Sequence, residues 1–434
     1  MHILNSLRRT IFWRMDALKG SPIKNHLNEI AGIVENPESP ESQEKRNQNL
    51  THLLEHAVGT TNFYKEYKGL KSLQDFPVIN KNVILDNYER FKSDVFINSK
   101  LTKVSSSGST GIPFKIYQNG NKRLRNTADV LYFSESAETV LGDRLYFFKL
   151  WDFKNRKNIW LSKMQNIHAH SVMDTDSESL KKLVSVIEKD NQPKNILGYP
   201  SFFEELCQFL DGRTNKPNFK NVGSIISFAE KLKDSEKSRM VNYFGAPVFE
   251  RYSNQENGIL AQQTLIFPEQ YVLNWGSYHF EFLQLDNDLP VNNGELGRLV
   301  VTDLFNYAMP MIRYDTGDLA VHEVNEEGTV YLTSIEGRRI DQIFDTQGNP
   351  ISSHFLYLIL EFGAIRQFQF VQKGEKEYLV KLNAKKQQVN EEKISSYCKS
   401  RLGTDAQITF EYVDEIPLLA SGKRKKIVNE HKKS

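Results

Sequence analysis

The chain has 434 residues, enough for two or three domains and an ample core. With 39% hydrophobic and 25% charged residues and a mean hydropathy of −0.51, it reads as a folded water-soluble protein and excludes a disordered chain or a membrane-spanning one. Lys and Arg number 56 against 54 Asp and Glu, so the net charge of +2 gives no electrostatic case for nucleic acid. Cys207 and Cys398 are the only cysteines, too few for a disulfide framework or a zinc cluster, which points to a reducing cytoplasm.

In chain order, the first segment, residues 1–20, places Ile3, Leu4, Leu7, Ile11, Phe12 and Met15 at helical spacing, with Arg8, Arg9 and Arg14 between them. The arginines interrupt any signal-peptide core. Two fates fit an amphipathic helix of this kind: lying on a membrane surface, or docking its apolar side on its own domain. The second is the expectation, because such helices usually cover their own core. Residues 36–49, with two prolines and clustered Glu and Gln, predict a loop or a polar helix start.

Strand-like and helix-like patches then alternate. Residues 143–148 predict a strand, and 177–189 a helix with Leu180, Leu183, Val184 and Ile187 inward. Residues 195–200 predict a strand leaving into a turn, 202–210 a helix, and 222–228 a short apolar strand. This rhythm predicts α/β layers with a parallel component. From about Glu281 the texture turns β-rich, predicting a meander or small barrel. After Gly337 the chain restarts as a smaller α+β unit. Strands are expected near 340–344, 367–372, 378–382 and 408–412, with helices over 352–362 and 390–402. The boundaries are a large α/β domain with a β-rich subdomain over residues 1–336 and a small domain over 337–434.

The run Ser107-Gly108-Ser109-Thr110-Gly111 carries backbone N–H groups and hydroxyls with little side-chain bulk, the composition of a loop that wraps a polyphosphate. Later segments answer it: Gly198-Tyr199-Pro200-Ser201, Ala229-Glu230, Tyr252-Ser253-Asn254-Gln255-Glu256, Gly294 to Gly297, Val301-Thr302-Asp303-Leu304, Met309 to Leu319, and Ser421-Gly422-Lys423. In this order they resemble the phenylacetate-CoA ligase-like and capsular polysaccharide biosynthesis (CapK-like) branch of the adenylate-forming acyl ligase superfamily. The likeness runs from about Val104 to Val428.

The resemblance implies that ATP and a carboxylic acid form an acyl-AMP with release of pyrophosphate, and that the acyl group then passes to an acceptor. Two anions must meet in that step, so cations and oriented dipoles matter more than a nucleophilic side chain. By resemblance, Ser107 to Gly111 cradles the β- and γ-phosphates, with Lys115 one position away from the usual family lysine. Glu256 holds Mg²⁺. Ala229 and Glu230 line adenine, Tyr252 stacks on it, Asp318 accepts the ribose hydroxyls, and Arg338 joins ribose and phosphate. Lys423 bridges the carboxylate and the α-phosphate, carried by a small C-terminal domain that moves between half-reactions.

Two departures stand out. The family's Tyr-Gly-Ser/Thr is here Tyr252-Ser253-Asn254, so Asn254 replaces the hydroxyl donor. The family's Gly-Arg-x-Asp-Asp is here Gly337-Arg338-Arg339-Ile340-Asp341. An acid pocket is expected around Tyr132, Phe133, Trp151, Tyr199, Phe228 and Tyr252, while His168 and His170 are expected to satisfy surface hydrogen bonds. The acceptor stays open among CoA, an amine or sugar of surface polysaccharide assembly, and a carrier protein. The competing reading is a non-catalytic nucleotide-binding or interaction protein that keeps the fold.

Overall fold

A computed structural model describes residues 3–70, 72–106, 114–151, 159–338, 343–351, 353–417 and 425–431. The chain divides into two compact units, Met1–Thr316 with Ala320–Ser334, and Gly317–Leu319 with Ile335–Ser434. The first begins with helices α1 (Ile3–Ala17), α2 (Pro22–Glu35), α3 (Pro40–Thr60) and the short α4 (Lys81–Asp86). A hairpin, β1 (Thr102–Ser106) and β2 (Phe114–Gln118), leads into α5 (Gly120–Glu135).

Strands and helices then alternate: β3 (Arg144–Lys149), α6 (Ile159–Met164), β4 (Ile167–Ser171), α7 (Ser177–Lys189), β5 (Lys194–Gly198), α8 (Pro200–Asp211), β6 (Val222–Phe228), α9 (Asp234–Phe244) and β7 (Val248–Asn254). The series continues as β8 (Gly258–Gln262), β9 (Tyr271–Leu273), β10 (Tyr278–Leu283), β11 (Leu296–Asp303), β12 (Tyr314–Val324) and β13 (Val330–Arg338). Among the described residues these form one eleven-stranded sheet in the order β10-β11-β12-β13-β9-β8-β7-β6-β5-β3-β4. Strands β4, β3, β5, β6 and β7 pair parallel; β7–β8, β8–β9, β9–β13 and β10–β11 pair antiparallel.

The parallel half follows from its sequence. Strand β6 is largely apolar, with four consecutive buried residues, because helices cover the sheet there. Helix α7 buries Leu180, Leu183, Val184 and Ile187 against the sheet, and Asp176 caps it by accepting from the Glu178 and Ser179 amides at 3.1 and 3.0 Å. The β-rich stretch after Glu281 does not close into a barrel. It extends the main sheet, because β9 and β13 pair edge to edge and leave no separate closed layer.

The second unit contains the two-stranded β14 (Ile343–Phe344) and β15 (Pro350–Ile351), then β16 (Gln367–Gln372), β17 (Glu377–Asn383), α10 (Glu391–Leu402), β18 (Gln407–Tyr412) and β19 (Ile427–Asn429). Its four-stranded sheet has the order β18-β17-β16-β19. Ile394, Cys398 and Leu402 of α10 pack on Phe368, Phe370, Val380 and Leu382. Ser353–Phe362, expected as an α-helix, winds as a 3₁₀ helix. The three-residue spacing of Leu356, Ile359 and Phe362 brings all three to the core at three residues per turn. The short β19, set among basic residues, was not expected from the sequence, since it has no readable apolar pattern.

Helix α1 reverses the expectation for its faces. Asn5 and Asp16 are buried, whereas Ile3, Leu4, Leu7, Ile11 and Met15 are exposed.

Candidate functional site

The carboxyl ends of parallel strands form one edge of a sheet, where open α/β folds bind ligands. Four segments singled out in the sequence arrive there: Lys149 to Trp151 after β3, Gly198 to Ser201 after β5, Phe228 to Glu230 after β6, and Tyr252 to Glu256 after β7. Gly198 is required, since a Cβ there would lie 2.9 Å from Phe203 and 3.0 Å from Phe148. The Tyr199 and Phe228 rings sit 5.0 Å apart, Phe147 lies 5.9 Å from Phe228, and Trp151 is 5.4 Å from Phe147. These side chains make an aromatic wall. Burial, helped by the Glu230 charge, pushes the Tyr199 hydroxyl up to about 12.

Tyr132 and Phe133 do not join that wall. Phe133 is wholly buried, and its carbonyl accepts from the Gln262 amide. Tyr132 packs with Leu27, Ile30 and Leu131 between α2 and α5. Both are core residues, so the expected acid pocket loses them.

Past β6 the backbone turns sharply. Ala229 has φ of +71°, a left-handed conformation that costs an L-residue about 1–2 kcal/mol. Glu230 then points its carboxylate at the first turn of α8, accepting from the Ser201 amide at 2.9 Å and the Ser201 hydroxyl at 3.2 Å. A carboxylate at a helix N-terminus satisfies an orphan donor and meets the positive end of the dipole.

The turn after β7 is tightly held. Asn254 Oδ1 accepts from the Asn257 amide at 2.9 Å, which sets the Asn254 oxygen to the turn and leaves the amide nitrogen as the donor end. Gln118 Nε2 donates to the Glu256 carbonyl at 2.9 Å, and Tyr314 Oη donates to Glu256 Oε1 at 3.1 Å. Beneath, Tyr278 donates its hydroxyl to the Asn257 carbonyl at 2.8 Å, and Lys122 Nζ donates to Tyr278 Oη at 3.1 Å. Lys122 also pairs with Asp303 at 2.7 Å with both side chains fully buried. Burial raises the Tyr278 hydroxyl well above its ordinary value, so it stays a neutral donor. Removing one partner of such a buried pair strands the other charge, which makes this network a rigid floor for the Glu256 turn. The Val301-Thr302-Asp303-Leu304 segment thereby acquires a supporting role.

Ser107, Gly108, Ser109, Thr110 and Gly111 lie outside the described residues, but the strands that bracket them do not. Ser106 pairs with Phe114, and the Phe114 ring lies parallel to that of Tyr314 at 6.4 Å. The foot of the loop is thus tied to the tyrosine that holds Glu256. Lys115 is exposed on β2, opposite Ser105. Gln118 and Tyr314 had no assigned role in the sequence; Tyr314 stood inside a quoted segment, while Gln118 gave no signal.

Within Met309 to Leu319, most polar groups clamp the fold. Arg313, at φ of +51°, pairs with Glu281 at 3.0 Å and donates to the Phe76 carbonyl at 2.8 Å. Asp315 pairs with Arg298 at 2.9 Å, and Thr316 donates to the Leu299 carbonyl. Asp318 lies half-buried in β12, and Arg338 closes β13. Lys423 and Asp341 lie outside the described residues. The connector that contains Lys423 is anchored on both sides to one face of β16. Gln367 Oε1 accepts from the Ile416 amide at 2.8 Å, and Gln369 Nε2 donates to the Lys425 carbonyl at 2.7 Å.

Among the described residues no three His, Cys, Asp or Glu side chains gather as a metal cluster. A single carboxylate such as Glu256 suits Mg²⁺, which keeps waters and takes its other oxygens from phosphates. His168 and His170 stand half-buried on β4. His170 shares a hydrogen bond with the Asp174 carbonyl at 3.2 Å, and burial lowers both imidazoles below their usual value. Among the described residues no helix is long and apolar enough to cross a membrane.

Solved structures share this architecture. A 2-hydroxyisobutyryl-CoA ligase in its postadenylation state, in complex with 2-HIB-AMP, superposes with a TM-score of 0.71 over 90% of both chains at 16% identity. A benzoate CoA ligase from Burkholderia xenovorans LB400 gives 0.54 over 76% of this chain and 69% of its own, at 13% identity. The chain has the fold of the adenylate-forming CoA ligases. Residues 343–430 match the CapK C-terminal domain. Over most of its length the chain is similar to Protein CapK from Staphylococcus aureus, 24% identical with 89% of each chain covered.

Proposed function

We propose that this protein activates a carboxylic acid with ATP as an acyl-AMP, releases pyrophosphate, and transfers the acyl group to a second substrate. The observation that carries this reading is the gathering of the Glu256 turn, the Ala229-Glu230 corner and the aromatic wall at one carboxyl edge of the parallel strands. Residues 1–336 hold ATP and the acid, and residues 337–434 supply the lysine. The loop Ser107 to Gly111 wraps the β- and γ-phosphates, and Glu256, steadied by Tyr314 and Gln118, takes Mg²⁺ beside them. Tyr252 stacks on adenine against the Ala229-Glu230 backbone, Asp318 accepts from the ribose hydroxyls, and Arg338 faces ribose and phosphate.

Asn254 supplies its amide N–H to the α-phosphate where relatives by resemblance use a hydroxyl, which its orientation in the turn favours. Lys423 neutralises carboxylate and phosphate as they meet. The acid lies along Trp151, Tyr199 and Phe228. The acceptor is CoA, as in the CoA ligases among the structural neighbours, or an amine or sugar in surface polysaccharide assembly, as the CapK likeness suggests. The test is ATP–pyrophosphate exchange across a panel of aryl and short hydroxy acids. Exchange with at least one acid is expected. Its absence with every acid, alongside retained ATP binding, would favour a non-catalytic nucleotide-binding protein.

A further inference from the structure

Helix α1 is pinned to the first unit by its polar side. Asn5 Nδ2 donates to Asp143 Oδ1 at 3.0 Å, and the Asn5 carbonyl presses on Gly142, where a Cβ would approach it to 2.5 Å. Gly142 has φ of +97°, so glycine is required there twice over. At the other end Asp16 accepts from the Ile23 and Lys24 amides, both at 3.0 Å, and caps α2. Between these anchors Phe12 and Trp13 pack on Leu27, Ile30 and Leu131.

The opposite face is apolar and uncovered. Ile3, Leu4, Leu7, Ile11, Met15 and, just past the helix, Leu18 span an arc of about 120° at 100° per residue. Ile3 is 85% exposed and Leu18 88%. Arg14 is exposed within this arc, between Ile3 and Leu7, Arg8 flanks the edge beyond Met15, and Lys19 is exposed next to Leu18. The sole acid of residues 1–20, Asp16, is buried and occupied in capping. An apolar stripe whose exposed charged neighbours along the helix are all cations is complementary to an anionic bilayer surface, with the apolar side chains in the acyl boundary and the cations among headgroups. A second copy fits less well. Its own arginines would face these, and one side of a helix of about four turns falls short of the ~800 Å² per partner of a stable interface.

We infer that α1 seats the protein on an anionic phospholipid surface. The inference is independent of the reaction at the sheet edge.

The experiment is co-sedimentation of the full chain with vesicles of phosphatidylcholine alone and of phosphatidylcholine with phosphatidylglycerol. Binding is expected to the anionic vesicles and to weaken with salt. Leu7→Gln with Ile11→Gln should lower the partition coefficient on the order of a hundredfold, since two apolar anchors are lost. Glutamine is a good helix former, so circular dichroism and melting should be unchanged. Arg14→Gln and Lys19→Gln should each cost about fivefold, on anionic vesicles only. Wild type remaining in the supernatant with both vesicles, or the Leu7→Gln/Ile11→Gln protein sedimenting as well as wild type, would overturn the inference. So would a wild-type dimer in ultracentrifugation, without vesicle binding, that the same double substitution dissolves; that result assigns the face to a second copy.

Discussion

Tyr314 donates its hydroxyl to Glu256 at 3.1 Å while its ring lies parallel to Phe114 at the foot of the loop that follows β1. One side chain thus joins the proposed metal carboxylate to the base of the proposed phosphate loop. Tyr314 is itself buried, and both its backbone neighbours are held by Ile79, whose amide donates to the Arg313 carbonyl at 3.0 Å and whose carbonyl accepts from the Asp315 amide at 2.8 Å. Both ends of this relay are therefore fixed by the core.

Tyr314→Phe keeps the ring and removes the donor. A hydrogen bond to a charged group contributes about 1.5–3 kcal/mol. The Mg²⁺ concentration giving half-maximal pyrophosphate exchange should therefore rise roughly tenfold, with exchange recovering at high Mg²⁺. Melting should change little because the packing surface is kept. A loss of exchange that excess Mg²⁺ does not restore would detach Tyr314 from the metal role.

Ala229 carries backbone strain at the corner between β6 and Glu230. Ala229→Gly removes the Cβ that disfavours φ of +71° and should stabilise the first unit by about 1 kcal/mol, read as a raised urea midpoint. Ala229→Val should destabilise by more than that, since a β-branched residue at positive φ is a strong outlier. If the glycine variant gains stability but loses ATP affinity, the alanine methyl itself contacts adenine.

Much of the fold was legible because local pattern and tertiary outcome agree. Helix α7 and strand β6 lie where periodicity put them, and the four inward residues of α7 are all buried. The candidate site was legible only as segments and their order, four of which the fold brings to one edge of the sheet. What the sequence could not carry was non-local pairing. Tyr132 and Phe133 are as aromatic as Tyr199 and Phe228, yet only the packing of α2 against α5 tells core from wall. The amphipathic period of α1 was plain, but its seated face depends on Asn5 meeting Asp143, 138 residues away. That hydrogen bond, the Asp16 cap and the packing of Phe12 and Trp13 together seat the side opposite the larger apolar stripe.

His279 gives the first unit a pH signature. Burial, with Arg46 and Arg313 nearby, lowers its imidazole to about 4 from an ordinary 6.5. Between those values the unfolded chain binds a proton that the folded chain refuses, so stability falls as pH drops from 6.5 towards 4 and levels off below. The contribution reaches at most about 3 kcal/mol. Urea unfolding at several pH values should show this slope in wild type and a shallower one in His279→Gln. Identical slopes would mean that the carboxylates alone set the acid sensitivity.

Asp318→Ala tests the ribose assignment. Leaving ribose hydroxyls without an acceptor costs about 1–3 kcal/mol, so ATP affinity measured by calorimetry should fall by roughly five- to a hundredfold. Unchanged affinity would remove Asp318 from the nucleotide site while leaving the fold untouched.

The last prediction concerns Lys423 and the two glutamines that hold its connector. If the ammonium bridges carboxylate and α-phosphate only as they react, its stabilisation belongs to the transition state. Lys423→Ala should cut acyl-AMP formation by about 10²–10³-fold, the loss typical of one preorganised electrostatic donor, with ATP binding little changed. Transfer from preformed acyl-AMP to the acceptor should survive, since the lysine's work is then complete. Gln369→Leu removes the donor to the Lys425 carbonyl and loosens the connector without touching the ammonium. It should lower acyl-AMP formation by roughly tenfold, the scale of about 1.4 kcal/mol, and leave transfer intact. The measurement compares both half-reactions in the three proteins, using the acid found by exchange. Equal losses in both half-reactions would make Lys423 a structural residue. If Lys423→Ala leaves acyl-AMP formation at the wild-type rate, Lys423 is a solvated residue of a basic tail, and the non-catalytic reading of the fold becomes the better one.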